Sequence, residues 1–406
     1  MNLSPSILDA LRAKGYVSPT EVQVRSIPLI FAGKDIFGTA QTGTGKTASF
    51  ALPLLQMMHE RKSDRHIPRT LVLAPTRELA IQIADSFRAY GRHTGLRAAI
   101  VYGGVSQHRQ VSDIVRGVDI IVATPGRLLD LMNQGHVRLS GIEYLVLDEA
   151  DRMLDMGFIH DIRKIVDTTP SKRQTLMFSA TLAPEVRQLA SSLLRNPELV
   201  DVKPAEHDQV QIAESVYLID KVNKSHLLCD LVQEKTIQQA LVFTRTKFGA
   251  DKLARHLTQA GIAARAIHGN KSQNERQRTL AGFKSGNFSL LIATDVASRG
   301  IDVKELSHVI NFDIPEQPNS YVHRIGRTGR AGATGIAISF CSYEERPFLR
   351  DIHKFTGKAI PVEEHKYGKH LPLEPAMKAQ PNRNSWNADR TRRKPRPGRS
   401  RSFRRY

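Results

Sequence analysis

Cysteine is nearly missing from this sequence: its 406 residues contain two, Cys229 and Cys341. Two thiols cannot build a disulfide framework, so packed cores must hold the fold, and both are expected as small buried hydrophobes. Aromatics are sparse too, at 6%, with a single Trp at position 386. No apolar run approaches the roughly 18 residues that a membrane-spanning helix needs, and no charged-then-apolar leader opens the chain. A soluble, cytoplasmic protein without a membrane partner is expected. The fifteen histidines lie scattered, without cysteine neighbours or zinc-type spacing, which argues against a structural metal. Acidic residues are also short: 40 Asp and Glu face 59 Lys and Arg, for a formal charge of +19. Such a surplus points to a polyanionic partner. It is unevenly spread, since Ala376 to Tyr406 hold eleven Lys or Arg against one Asp.

What the chain does contain is enough apolar material, 40%, for two ordinary cores. Short apolar runs alternate with helix-length amphipathic segments such as Arg77–Tyr90 and Pro184–Leu194. Strands are expected at Ile36–Ala40, Thr70–Ala74, Ala98–Tyr102, Asp119–Ala123, Tyr144–Asp148 and Gln174–Phe178. A second series follows at Glu214–Ile219, Ala240–Phe243, Ala263–Ile267, Ser289–Ala293, His308–Phe312 and Gly335–Phe340. This alternation predicts α/β architecture, with right-handed βαβ units around two parallel sheets. The expected boundaries are a first domain over 1–203, a linker over 204–212, a second domain over 213–365 and a basic tail over 366–406. The tail is rich in Pro, Arg, Asn and Ser and is expected to be disordered, because it has too little apolar surface to bury.

Two motifs carry chemistry in the first domain. Ala40-Gln41-Thr42-Gly43-Thr44-Gly45-Lys46-Thr47 lies between an expected strand and an expected helix over Thr47–Glu60, the setting of a phosphate-binding loop. Glycines let backbone N–H groups converge on phosphate oxygens at a helix N-terminus. Lys46 is placed to reach the β- and γ-phosphates, and the Thr47 hydroxyl to ligate Mg²⁺. Ala40 stands where such loops usually have glycine, and a small residue suffices there if its φ is negative. The second motif, Asp148-Glu149-Ala150-Asp151, follows the apolar run Tyr144–Leu147, and so sits at the carboxyl end of a strand, where open α/β sheets bind ligands. Asp148 is the expected second Mg²⁺ anchor, direct or through water, and Glu149 the candidate base for an attacking water. His323-Arg-Ile-Gly-Arg-Thr-Gly-Arg330 in the second domain offers Arg327 and Arg330 to the γ-phosphate, so hydrolysis would require the two domains to close. The second series has no Gly-Lys-Thr, so one nucleotide per chain is expected.

Together with Gln23, Pro75–Ala80, Gly103-Gly104, Thr124–Arg127, Ser179-Ala-Thr181 and Ala293–Asp302, these segments resemble the ordered motif set of DEAD-box RNA helicases, over roughly residues 15–345. The compact start and short basic tail look most like the bacterial RhlE subgroup. The resemblance implies two tandem RecA-like domains that use ATP and Mg²⁺ to open RNA duplexes locally. It implies Tyr16 stacked on the base, Gln23 on the adenine edge and Asp302 on the ribose. It implies that Ser179 and Thr181 hydrogen-bond Asp151 and, with His323, couple hydrolysis to closure.

Arg77, Gly103, Gly104, Thr124 and Arg127 fall at strand-to-helix turns of the first domain, and Thr246, His268, Gly269 and Thr294 at similar turns of the second. By analogy with the family, the two rows grip the sugar-phosphate backbone of one RNA strand without reading its sequence. The tail, with Trp386, Phe403 and Tyr406 among its arginines, would tether RNA. Ribosome-assembly or RNA-decay proteins are compatible partners, and a monomer is the simplest state. Two other readings stay open at this point, a DNA-translocating motor on the same two lobes and a non-catalytic RNA-binding scaffold.

Overall fold

The computed structural model describes residues 3–40, 44–61, 67–202, 212–234, 237, 239–298, 306–329 and 335–367. Gln41, Thr42, Gly43, Asp302, Arg330 and the tail with Trp386, Phe403 and Tyr406 lie outside the described residues. The described strands form two seven-stranded sheets within the single unit Met1–Gly368.

The first sheet holds β1 (Ile36–Thr39), β2 (Thr70–Leu73), β3 (Ala98–Val101), β4 (Ile120–Ala123), β5 (Tyr144–Leu147), β6 (Gln174–Ser179) and β7 (Glu198–Asp201), in the order β3-β4-β2-β5-β6-β1-β7. The second holds β8 (Ile212–Leu218), β9 (Ala240–Phe243), β10 (Ala264–Ile267), β11 (Leu290–Ala293), β12 (His308–Asn311), β13 (Gly335–Cys341) and β14 (Val362–Glu363), in the order β10-β11-β9-β12-β13-β8-β14. Counted from its own first strand, each sheet has the same order. All strand pairs are parallel; Thr70 lies opposite Tyr144, for example, and Ile36 opposite Leu176. The chain is therefore two RecA-like α/β lobes.

The strands are apolar throughout because both faces of each sheet are covered. Along β2, Val72 packs into one core with Phe50, Phe87 and Phe178, while Leu71 and Leu73 enter the other with Leu128, Met153 and Ile162. The second lobe divides likewise, with Val242 on one face of β9 and Leu241 and Phe243 on the other. The two free thiols are partly buried at Cys229 and fully buried at Cys341.

The expected strands all form, with ends shifted by two residues at most. The expected helix over Arg77–Tyr90 forms over that same span. Two strands were not expected. β7 exposes Glu198 and Leu199 and buries Val200, and β14 spans two exposed residues. Both are edges, where the burial pattern that marks a strand is weakest. The linker expected over 204–212 is corrected at its end, where Ile212 opens β8 opposite Gly335. Lys366 and Tyr367, read as tail, instead pack on the second lobe. The Tyr367 hydroxyl donates to Asp230, whose carboxylate also meets Lys366 Nζ at 3.0 Å. An aromatic and a cation beside one acceptor give this stretch a surface contact that composition does not reveal.

Candidate functional site

The phosphate loop runs from the end of β1 into the helix Lys46–Glu60. Gly45 caps that helix at φ +90°, a left-handed conformation that glycine adopts without strain. A Cβ there would also stand 2.5 Å from Gln23 Nε2, so the glycine is needed twice over. Gln23 is buried in the helix Glu21–Phe31, where its Oε1 accepts from Thr20 N at 3.1 Å and its Nε2 donates to the Gly45 carbonyl at 3.2 Å. Each end of the amide keeps one more bonding position, one donor and one lone pair. Ala40 is buried and is not among the residues with positive φ, as its place in the loop requires. Its carbonyl accepts from Lys46 Nζ at 2.9 Å, so the lysine folds back over the loop it belongs to. Tyr16 remains 42% exposed, with its ring edge-on to Tyr90 at 5.9 Å and the two hydroxyls 2.7 Å apart.

Asp148 and Glu149 follow β5 and are both buried. Burial pushes the Asp148 carboxyl up to about 6, against the pull of Lys46. Burial pushes Glu149 in the same direction, but Arg152, Lys46 and Arg327 outweigh it and hold this carboxyl below its ordinary range. Arg152 Nη1 donates to Glu149 Oε2 at 2.7 Å. Glu149 itself is left-handed, at φ 53° and ψ 53°, a conformation that costs a non-glycine residue about 1–2 kcal/mol. Two carboxylates one residue apart are thus set differently, Asp148 toward the neutral form and Glu149 toward the ionised one. Thr47 and Asp148 offer oxygen ligands, as a hard divalent cation prefers. A sealed carboxyl with a raised pKa is the kind of group such a cation would ionise, so the donor set fits Mg²⁺. Among the described residues, no group of three or more His, Cys, Asp or Glu side chains is placed to hold a metal.

Asp151 does not bond the hydroxyls expected of it. Its Oδ2 accepts from Ala180 N at 3.1 Å, and Ser179 Oγ accepts from Thr181 N at 3.2 Å. The turn after β6 aims the backbone of the middle residue at the carboxylate and turns the Ser179 hydroxyl onto its own loop. Across the lobe boundary, burial and then the Arg152 guanidinium push His323 down to about 4, so it is neutral at physiological pH. Arg327 is buried and close enough to Glu149 to lower its pKa. The structure thus brings Lys46, Asp148 and Glu149 of one lobe together with His323 and Arg327 of the other.

The other predicted row follows the sheet order. Gly103 and Gly104, Thr124, and Arg77 come directly after β3, β4 and β2, three adjacent strands. In the second lobe Gly269, Thr294 and Thr246 come after β10, β11 and β9, the corresponding three. The phosphate loop follows β1 and the acidic motif follows β5, outside these three strands of the first sheet. Gly104 adopts φ +79°, a left-handed conformation that favours glycine, with the mobile end of the Arg77 side chain beside it. Arg127 lies against the Val105 carbonyl at 3.3 Å and Asp130 at 3.5 Å. His268 is a correction. The residue is 2% exposed, with Nε2 2.9 Å from Asp251 Oδ2 in a close approach that is not an aligned hydrogen bond. Burial against Asp251 takes this ring out of the row and leaves the exposed Gly269 beside it.

Three residues of the site escaped the sequence reading. Arg152 is one. Gln273 and Arg276, on the helix Gln273–Lys284, reach Glu78 of the first lobe, with Arg276 Nη2 at 2.6 Å from Glu78 Oε1 and Gln273 Nε2 at 3.5 Å. Arg152 pairs locally with Glu149, three residues away, a spacing visible in the sequence. The pairings of Gln273 and Arg276 with Glu78 depend on a fold contact, that of Gln273 spanning 195 positions, and only the three-residue spacing of Gln273 and Arg276 hints at a shared helix face.

The family model for DEAD/DEAH box helicases matches residues 20–189, and that for the helicase conserved C-terminal domain matches residues 223–332. The chain is 44% identical over 370 residues to DEAD-box ATP-dependent RNA helicase 30 of Arabidopsis thaliana, covering 89% of this chain and 62% of that protein. It is 42% identical over 360 residues to DEAD-box ATP-dependent RNA helicase CshA of Geobacillus kaustophilus, covering 89% of this chain and 76% of the relative. In structure it is similar to Saccharomyces cerevisiae Dbp5 bound to RNA and ADP BeF3, with a TM-score of 0.78, 31% identity, and 89% and 94% of the two chains covered.

Proposed function

This chain belongs to the DEAD/DEAH box helicase family, and from that membership and the geometry above we propose an ATP-dependent RNA helicase whose ATP hydrolysis requires both lobes. One observation carries this reading: buried Lys46, Asp148 and Glu149 of the first lobe meet the field of Arg327 from the second. A carboxylate that is buried yet kept ionised by cations from two lobes is available to accept a hydrogen bond from a water and, at reduced basicity, its proton.

ATP binds with its phosphates over the Gly45–Thr47 helix start, where N–H groups and the helix dipole favour negative charge. Lys46 exchanges the Ala40 carbonyl for a phosphate oxygen. Thr47 and Asp148 would hold Mg²⁺, directly or through water, and the ion would supply neutralisation of phosphate charge. Glu149 orients the attacking water and takes its proton as the oxygen bonds to the γ-phosphorus and the bond to ADP breaks. Arg327, with Arg330, balances the charge that spreads over the transferring group. Gln23 and Tyr16 hold adenine and Asp302 the ribose, with Gln41 to Thr44 completing the cradle. Asp151, Ser179, Thr181 and His323 link this centre to closure. The backbone of one RNA strand lies along Arg77, Gly103, Gly104, Thr124, Arg127, Thr246, Gly269 and Thr294.

Finer assignments rest on sequence alone: an RhlE-like subgroup, a tail that tethers RNA, a cytoplasmic monomer, and partners in ribosome assembly or RNA decay. Steady-state ATPase with a panel of RNAs and DNAs tests the central reading. RNA should stimulate turnover and DNA should not. Glu149→Gln should abolish turnover and still retain ATP and RNA together. A variant that hydrolyses ATP at the normal rate would remove Glu149 from the role of base.

A further inference from the structure

Arg152 is 3% exposed and lies between the proposed base and the opposite lobe. Glu149 is the N-cap of the short helix Ala150–Asp155, and Arg152 comes three residues later, which brings the two side chains onto one face. Its Nη1 donates to Glu149 Oε2 at 2.7 Å, with 4% and 6% of the two side chains exposed. Arg152 also lines a small interlobe pocket with Phe243, Asp295, Ser320, His323, Arg324 and Arg327. The guanidinium is therefore held by a first-lobe carboxylate and faces a pocket whose other walls come from the second lobe.

We infer that Arg152 is a positioning residue for hydrolysis: it anchors one oxygen of Glu149, leaves Oε1 to face the attacking water, and depends on the second lobe to stay in place. The inference rests on the reading of Glu149 as the base. A buried ion pair is weak evidence for a role in stability, since apolar groups of similar volume often replace one without loss. This pair does something an apolar pair could not do. It fixes the torsions of the carboxylate that must meet a water within a fraction of an ångström, and it ties that alignment to closure. The chemical step is unchanged. Water oxygen bonds to the γ-phosphorus, its proton passes to Glu149 Oε1, and the electron pair of the broken bond leaves with ADP.

The test uses the full chain carrying R152Q, R152A, R152K or E149Q, with ATPase measured at saturating RNA and with thermal melts. R152Q and R152A should lower kcat by about 10- to 100-fold, the scale of an ~1 Å misplacement of a reacting group. KM for ATP and the half-saturating RNA concentration should stay within about twofold. R152K keeps the cation without the planar fork and should fall between R152Q and wild type. If E149Q remains active, the base reading fails and takes this inference with it. If E149Q is inactive while R152Q turns over at the wild-type rate, positioning alone is overturned. A rise in KM or in the RNA requirement matching the loss of kcat would make Arg152 a binding residue, and a faster R152A would make it a restraint; either result overturns the proposal. Should the neutral variants melt below assay temperature, R152K decides: a full wild-type kcat refutes positioning.

Discussion

Asp148 illustrates how far a single residue can be set against its own solvation. Its buried carboxyl titrates at about 6 rather than the ordinary 3.8, because burial outweighs the attraction of Lys46. The sign follows by linkage. A carboxyl whose folded pKa is raised contributes its stability below the unfolded value and loses it as pH rises through the folded one. In nucleotide-free protein without divalent cation, ionised Asp148 should thus cost on the order of 2–3 kcal/mol above pH 7. Asp148→Asn removes that cost and the activity together, as expected where a site is strained for function. The variant should melt higher than wild type at pH 8, by roughly 2–4 °C for each kcal/mol. The gap should close as pH falls through 6 toward 4. A melting difference that stays constant over that range would show that Asp148 does not titrate as its burial implies.

At the scale of elements, the sequence was legible where chemistry follows directly on a strand. Asp148, Glu149, Gly45 and Lys46 sit next to apolar runs whose period and length announce a buried strand, and their roles follow from that address. Edges were not legible, since β7 and β14 bury too little to mark their own pattern. Contacts between distant elements were hidden too. Glu78 lies in the first turn of the helix Arg77–Tyr90 and meets Arg276 on the helix Gln273–Lys284, a pairing that no local pattern encodes. His268 shows the opposite failure, because its turn was read correctly but its ring went to Asp251. The Glu78–Arg276 pair is 10% and 9% exposed, so its energy is tied to closure. Arg276→Ala leaves Glu78 free to rehydrate when the lobes part, so the melting temperature should hardly move. RNA affinity with a non-hydrolysable ATP analogue should fall about tenfold, and affinity without nucleotide should not change. Exchanging the charges, Glu78→Arg with Arg276→Glu, should restore part of the loss. An equal loss with and without nucleotide would assign the pair to RNA contact rather than closure.

For the whole molecule, charge is the property that joins the lobes to their polyanionic partner. The segment from Ala376 to Tyr406 has eleven Lys or Arg against one Asp, and Trp386, Phe403 and Tyr406 lie among them. Cations act by releasing counterions from phosphates, and for single strands each neutralised phosphate adds about −0.7 to the slope of log K against log salt. If roughly half the cations of this segment meet phosphates, deleting 376–406 should flatten that slope by about 3–4. Full-length and truncated protein should then differ most near 50 mM salt and converge toward 200 mM. The aromatics contribute differently. Stacking on bases is worth roughly 1–3 kcal/mol per base and does not depend on counterions, so it would leave an offset at high salt. RNA binding titrated across that salt range separates the two contributions. Parallel lines with an offset would assign the tail to stacking, and converging lines to charge. Superimposed curves would mean that half the positive surplus of this chain has no part in holding RNA.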